Sequence, residues 1–248
     1  MTISPYPPIP VRYPLMIQNW ESLTFFHWKY AASVIRKMIP SGLEVDTFDG
    51  SAWVSLAPFL ITGTRVPFSA PLPWISRFPE TNVRTYVVGP GGHHGVWFFS
   101  LDAARLAAVA GARAAYGLPY MWAKMNVGRQ GYQVRYTATR RFPGAPAEYS
   151  ITLTPGERFE PEELGDMDHF LTARYRLYSV LARRLAFAQI EHYPWPLARA
   201  RLESLRQTIV QAAGLPAPAG DPLIHYSEFI PVRIGRPQFV QQHPVTVT

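Results

Sequence analysis

The stretch Glu80–Lys124 reads ETNVRTYVVGPGGHHGVWFFSLDAARLAAVAGARAAYGLPYMWAK, and it decides the fold. At period two, Glu80, Asn82, Arg84 and Tyr86 share one strand face while Thr81, Val83, Thr85 and Val87 share the other. A glycine-rich turn, VGPGGHHG, leads into GVWFFSL, which is apolar on both faces and so predicts a central strand. Asp102 reads as an N-cap, the alanine-rich segment 103–116 as a helix, and Gly117 as its left-handed end. Pro119 then forces the chain to extend. A polar strand face beside a fully apolar strand predicts the lining of an enclosed cavity. The structural alternative is a Glu80–Arg84 pair along one strand.

Outward from that stretch, the prolines of residues 1–18 predict an arm, and residues 23–30 (LTFFHWKY) an aromatic strand. A short helix stops at Pro40, and SAWVSLAPF reads as a strand buried on both faces. Residues 61–79 carry four prolines and predict a long loop or lid. Further on come alternating strands in GYQVRYTATR and EYSITLT, a helix over 166–184 and a strand in AFAQIEHYPW. An amphipathic helix in LARARLESLRQTIVQAA, a last strand in PLIHYSEFIPVRI and a loose arm over 237–248 complete the chain. No linker divides it, so the expectation is one α+β domain over 1–248 with its folded core at 20–235, built on an antiparallel sheet or barrel.

Composition excludes several classes. With 48% hydrophobic and 17% charged residues the chain is globular, and without cysteine it has neither disulfides nor thiol chemistry. No run of about 18 apolar residues spans a membrane, and MTISPYPPIP is no signal peptide, so the expected location is cytoplasmic. The net charge of +7 is dispersed, with runs no longer than Arg140–Arg141 and Arg183–Arg184, which argues against nucleic acid as partner. Only Lys29, Lys37 and Lys124 among the 24 basic residues are lysines, which limits amine chemistry.

His93–His94 lacks the spacing and third ligand of a metal site and reads as a hairpin turn; no metal or cofactor is expected. Ser100 and Asp102 fit a helix cap better than a hydrolase triad, since no G-x-S-x-G occurs. Tyr116, Tyr120, Trp97 and Trp122 fit core packing better than ligand stacking. Lys124 shares strand parity with Tyr120 and Trp122, and aromatic surroundings would lower its pKa towards nucleophilicity, unless it snorkels to water at the strand end.

The ordered segments FFHW, IPSGLEVDTFDGSAWVSLAPF, PETNVRTYV, GVWFFSLDA, YGLPY and LTARYRLY…HYPWPL resemble the YqjF-like proteins over about residues 20–230. These form a largely uncharacterised bacterial family in the acetoacetate decarboxylase-like superfamily. The resemblance implies an antiparallel sheet wrapped around a cone-like central β-barrel with a pocket inside, and a homo-oligomer. The decarboxylases place a proline six residues after an arginine and follow it with two lysines, one forming a Schiff base and the other lowering its pKa. Here Arg113 and Pro119 keep the spacing, but Tyr120 and Met121 replace the lysines. The carboxylate-binding arginine falls near Glu21, another mismatch, while a pocket glutamate matches Glu80. Lys124 lies four residues beyond the lost lysine, about 13 Å along a strand.

Three functions are therefore open. The first is an enzyme on a small carbonyl or carboxylate compound, with Glu80 as acid/base, Tyr120 as donor, Arg84 or Arg113 holding an anion, and Asn82, Tyr116 and Trp97 lining the site. The second is a non-catalytic small-ligand module. The third is Schiff-base lyase or aldolase chemistry through Lys124. A raised Glu80 pKa favours the first; a paired Glu80–Arg84 and an apolar cavity favour the second.

Overall fold

β3 (Ala52–Arg65) shows why this chain builds two cores: its alternate side chains, Trp53, Ala57, Phe59 and Ile61 against Ala52, Val54 and Leu56, enter different apolar clusters. The structure is a computed structural model that describes residues 3–71 and 73–241. Before β3 lie β1 (Met16–Tyr30), α1 (Ala32–Arg36) and β2 (Glu44–Val45). After it come β4 (Arg77–Gly89), β5 (His93–Ala103), α2 (Leu106–Tyr116), β6 (Tyr120–Gln130), β7 (Gln133–Phe142), β8 (Glu148–Arg158) and α3 (Asp166–Thr172). The chain ends with β9 (Arg176–Leu181), β10 (Arg184–Glu191), β11 (Leu197–Gln207), α4 (Ile209–Ala212), β12 (Leu223–Ile234) and β13 (Gln238–Phe239).

The strands join into one sheet that closes into two rings. With one edge covered by β4, β5 offers its other edge to β9 at Val96–Trp97 and to β6 at Leu101–Ala103. On β12, opposite β1, the free edge serves β11 at Tyr226–Ser227 and β10 at Arg233–Ile234. One ring thus runs β5-β6-β7-β8-β11-β12-β1-β3-β4 and the other β5-β9-β10-β12-β1-β3-β4. Pairing is antiparallel except for β5–β6 and β5–β9, which are parallel. This is the expected α+β architecture of a closed, mainly antiparallel sheet with few helices.

The shared strand β4 faces both rings. Its odd residues turn to the larger one, where Val83 and Val87 pack and the Thr81 hydroxyl meets the Tyr149 hydroxyl at 2.5 Å. Its even residues turn to the smaller ring, and α2 closes one side of that space. Gly117 ends α2 at φ +63, as its sequence position predicts. A Cβ there would lie 2.3 Å from the Val180 carbonyl oxygen, so close packing against β9 also demands glycine.

Several local expectations are corrected. Asp102 lies in β5 and caps nothing; α2 begins after Arg105, and Asp102 instead accepts two bonds from Arg140, both 2.8 Å, in a buried pair. The predicted helix over 166–184 stops at Thr172, because Leu177 and Tyr178 pair with β5 and a turn at Ala182–Arg183, both at positive φ, folds β9 onto β10. The predicted helix from Leu197 is β11. Arg199, Arg201 and Glu203 alternate outwards against Ala200 and Leu202, and pairing with β8 overrides helix-prone composition. The arms are shorter than expected: β1 starts at Met16, and Gln238–Phe239 pair with β10, while 242–248 lie outside the described residues. No helix among the described residues is long and apolar enough to cross a membrane.

Candidate active site

The even face of β4 lines a cavity of about 310 Å³ inside the smaller ring. Glu80, Asn82 and Arg84 are buried there, 4%, 6% and 7% exposed, so this polar face is not a surface. At about 3.3 Å per residue, the Cα atoms of Glu80 and Arg84 stand about 13 Å apart along the strand, with Asn82 between them, and both side chains line the one cavity. They do not form an ion pair with each other, so each end of the cavity has its own chemistry.

At one end the Tyr120 hydroxyl donates to Glu80 Oε2 at 2.9 Å. Burial pushes the Glu80 pKa up to about 8; the Tyr120 bond opposes this and the Asp102 charge adds to it. At neutral pH Glu80 is therefore chiefly a carboxylic acid, able to donate a proton from its other oxygen. Burial and the neighbouring Glu80 carboxylate hold the Tyr120 hydroxyl protonated, well above the usual phenol range. Tyr116 also lines the cavity; its hydroxyl donates to the Gly235 carbonyl at 3.2 Å, and burial raises its pKa to about 12.

At the other end Arg84 Nε and Nη2 are buried without hydrogen-bond partners among the described residues, and the guanidinium lies 4.9 Å from the Phe25 ring centroid. Burial lowers its pKa, but a guanidinium stays charged in proteins. Arg174, also in the wall, is held by Asp46 at 2.5 Å and by the Phe170 carbonyl at 2.8 Å. Arg84 has no such carboxylate among the described residues, and a buried cation without a counter-charge is costly. Asn82 Oδ1 is likewise buried and without a partner among the described residues. The rest of the wall is mostly apolar: Trp20, Phe59, Phe98 and Trp195 supply aromatic surface, and α2 presents Ala108, Gly111, Ala112 and Ala115, whose small size leaves the space open.

Among the other sequence candidates, three stand outside the cavity. Trp97 is half-buried and packs against the other core, because its odd parity on β5 turns it away. Arg113 is exposed on the last turn of α2 and donates to the Tyr120 carbonyl at 2.7 Å, clamping the elbow that delivers Tyr120. Lys124 is exposed because β6 has run past the end of β5 by that point and pairs only with β7, opposite Thr139. Lys29 and Lys37 are exposed too, and no lysine lines the cavity. Glu21 accepts a bond from the Thr62 hydroxyl at 2.5 Å and is not part of the wall. Missed by sequence reasoning were Arg174 and His192, which come from segments read as helix and strand; only the pairing of β9 and β10 with the rest of the sheet brings them inwards. His94 beside the hairpin turn bonds Asp46 at 2.6 Å, and no cluster of three metal-ligating residues occurs among the described residues.

The profile of a family described as an uncharacterised conserved protein, DUF2071, matches residues 17–231. The chain belongs to this family. Uncharacterized protein YqjF of Bacillus subtilis (strain 168), a relative, is 37% identical over 214 residues, covering 86% of this chain and 88% of that protein. Among solved structures, the enduracididine biosynthesis enzyme MppR complexed with pyruvate has a TM-score of 0.63 at 14% identity, covering 91% of this chain and 90% of that one. An acetoacetate decarboxylase from Legionella pneumophila has a TM-score of 0.60 at 12% identity, covering 94% and 92%. This YqjF-like family member therefore has the acetoacetate decarboxylase-like fold, and its structural neighbours are enzymes.

Proposed function

We propose that the chain is an enzyme acting on a small carbonyl compound that carries an anionic group, by acid–base chemistry without a Schiff-base lysine. The observation that carries this is the pairing, in one cavity, of a protonated Glu80–Tyr120 couple with a buried Arg84 that has no carboxylate partner among the described residues. The Arg84 guanidinium, in the cavity wall with no carboxylate partner among the described residues, suits the fork of a carboxylate. Glu80 and Tyr120 suit a carbonyl oxygen, where charge develops when an adjacent bond breaks or forms. Pyruvate bound to MppR is an oxo acid of the kind this arrangement would take. Because Lys29, Lys37 and Lys124 are all exposed, amine catalysis has no support in this cavity.

The mostly aromatic and aliphatic wall favours a second reading, a non-catalytic binding module for the same ligands. A panel of 2-oxo and 3-oxo acids incubated with the wild-type chain and with Glu80→Gln, followed by NMR, separates the two. The enzyme reading expects conversion by the wild type and binding without conversion by the variant. Binding without conversion by both would leave only the module.

A further inference from the structure

We propose that His192 is the base of this cavity: its Nε2 removes a proton from the carbon beside the ligand's carbonyl while Glu80 protonates the carbonyl oxygen, so that the site enolises oxo acids. This rests on the reading of Glu80 as acid given above. His192 follows directly on β10, is 4% exposed and lines the cavity. Its Nδ1 lies 2.6 Å from the Tyr193 carbonyl oxygen. A carbonyl can only accept, so Nδ1 carries the proton and Nε2 keeps its lone pair. Among the described residues nothing donates to Nε2. The ring is wedged between Tyr175 and Trp195, with centroids at 4.8 and 4.6 Å, so it cannot easily swing away. Among the described histidines His192 alone is in the cavity wall; His27 meets Tyr86 and His225 meets Asp168.

The buried surroundings keep this imidazole neutral. Burial, with the Arg84 charge as a smaller cause, lowers its pKa to about 4, against the opposing bond to Tyr193. The nearest acid along the chain, Glu191, is turned to the Val11 amide and Arg233. One group held neutral below its usual range and another held protonated above it form an acid–base pair. The step balances: the C–H electrons become the C=C bond, the C=O π electrons move to oxygen, and oxygen takes the Glu80 proton. Imidazolium and carboxylate remain, and the reverse step restores both.

The test is exchange of the methyl protons of pyruvate and the C3 protons of 2-oxobutanoate in D2O, followed by proton NMR with the full chain. The expected result is enzyme-dependent exchange on a plateau between about pH 4 and about pH 8, its acid limb absent from His192→Gln. His192→Gln should bind both probes as the wild type does and exchange them about 10²–10⁴-fold more slowly. Added imidazole should restore part of the rate to His192→Ala. Nitrogen-15 shifts should show His192 as the Nδ1–H neutral tautomer at pH 6. Exchange lost in Glu80→Gln but intact in His192→Gln would overturn this role alone. No exchange by the wild type would overturn it together with the Glu80 reading. A proton on Nε2 at pH 6 would overturn it irrespective of any activity.

Discussion

Replacing Glu80 by glutamine should make the fold less sensitive to pH, and the size of the effect follows from the burial of the carboxyl. Glutamine keeps the shape and still accepts the Tyr120 hydroxyl, so it removes only the ionisation. The folded pKa is about 8 against an ordinary value of 4.5. Below 4.5 both states hold the proton. Between 4.5 and 8 the unfolded chain releases it and the folded chain does not, so wild-type stability falls as pH rises through that window. The resulting penalty is about 1 kcal/mol at pH 5, about 3 at pH 6.5 and about 4 at pH 8, on the order-of-magnitude scale of one pKa unit per 1.36 kcal/mol. Urea denaturation of both proteins at those three pH values measures it. The stability difference in favour of Glu80→Gln should grow by about 3 kcal/mol from pH 5 to pH 8. A difference that stays flat with pH would mean the carboxyl ionises as it does in water, and the acid role would lose its basis.

Three further outcomes follow from charges and positions. Arg84→Met removes an uncompensated buried cation and should stabilise the chain by about 1–4 kcal/mol, raising Tm by about 2–4 °C per kcal/mol. Arg174→Met leaves Asp46 without its main partner and should destabilise by about 3–5 kcal/mol in the same melting assay, the His94 contact favouring the lower end. Lys124→Ala, on the exposed stretch of β6, should alter neither probe binding nor exchange, and a loss of either would bring amine chemistry back.

How far the sequence could be read depended on the range of the forces involved. Period-two alternation placed Glu80, Asn82 and Arg84 on one face, and the apolar strand beside it placed that face indoors; both are local signals. Gly117 and Pro119 marked the elbow for the same reason. The strands β9 and β11 were read as helix because the decisive contacts, Val96–Leu177 and Leu202–Leu153, join segments far apart in sequence while the composition favours helix. His192 and Arg174 were hidden by that same non-locality. Lys124 has the right parity, but parity cannot tell where a strand outruns its neighbour.

Binding of pyruvate and 2-oxobutanoate measured by isothermal titration calorimetry, in the wild type and in Arg84→Met, tests the central claim most directly. The claim is that the cavity beside β4 receives an anionic carbonyl compound on Arg84. Both probes should bind the wild type and bind Arg84→Met at least 10-fold more weakly while that variant remains folded. Equal binding to both proteins would place the ligand elsewhere and contradict the account.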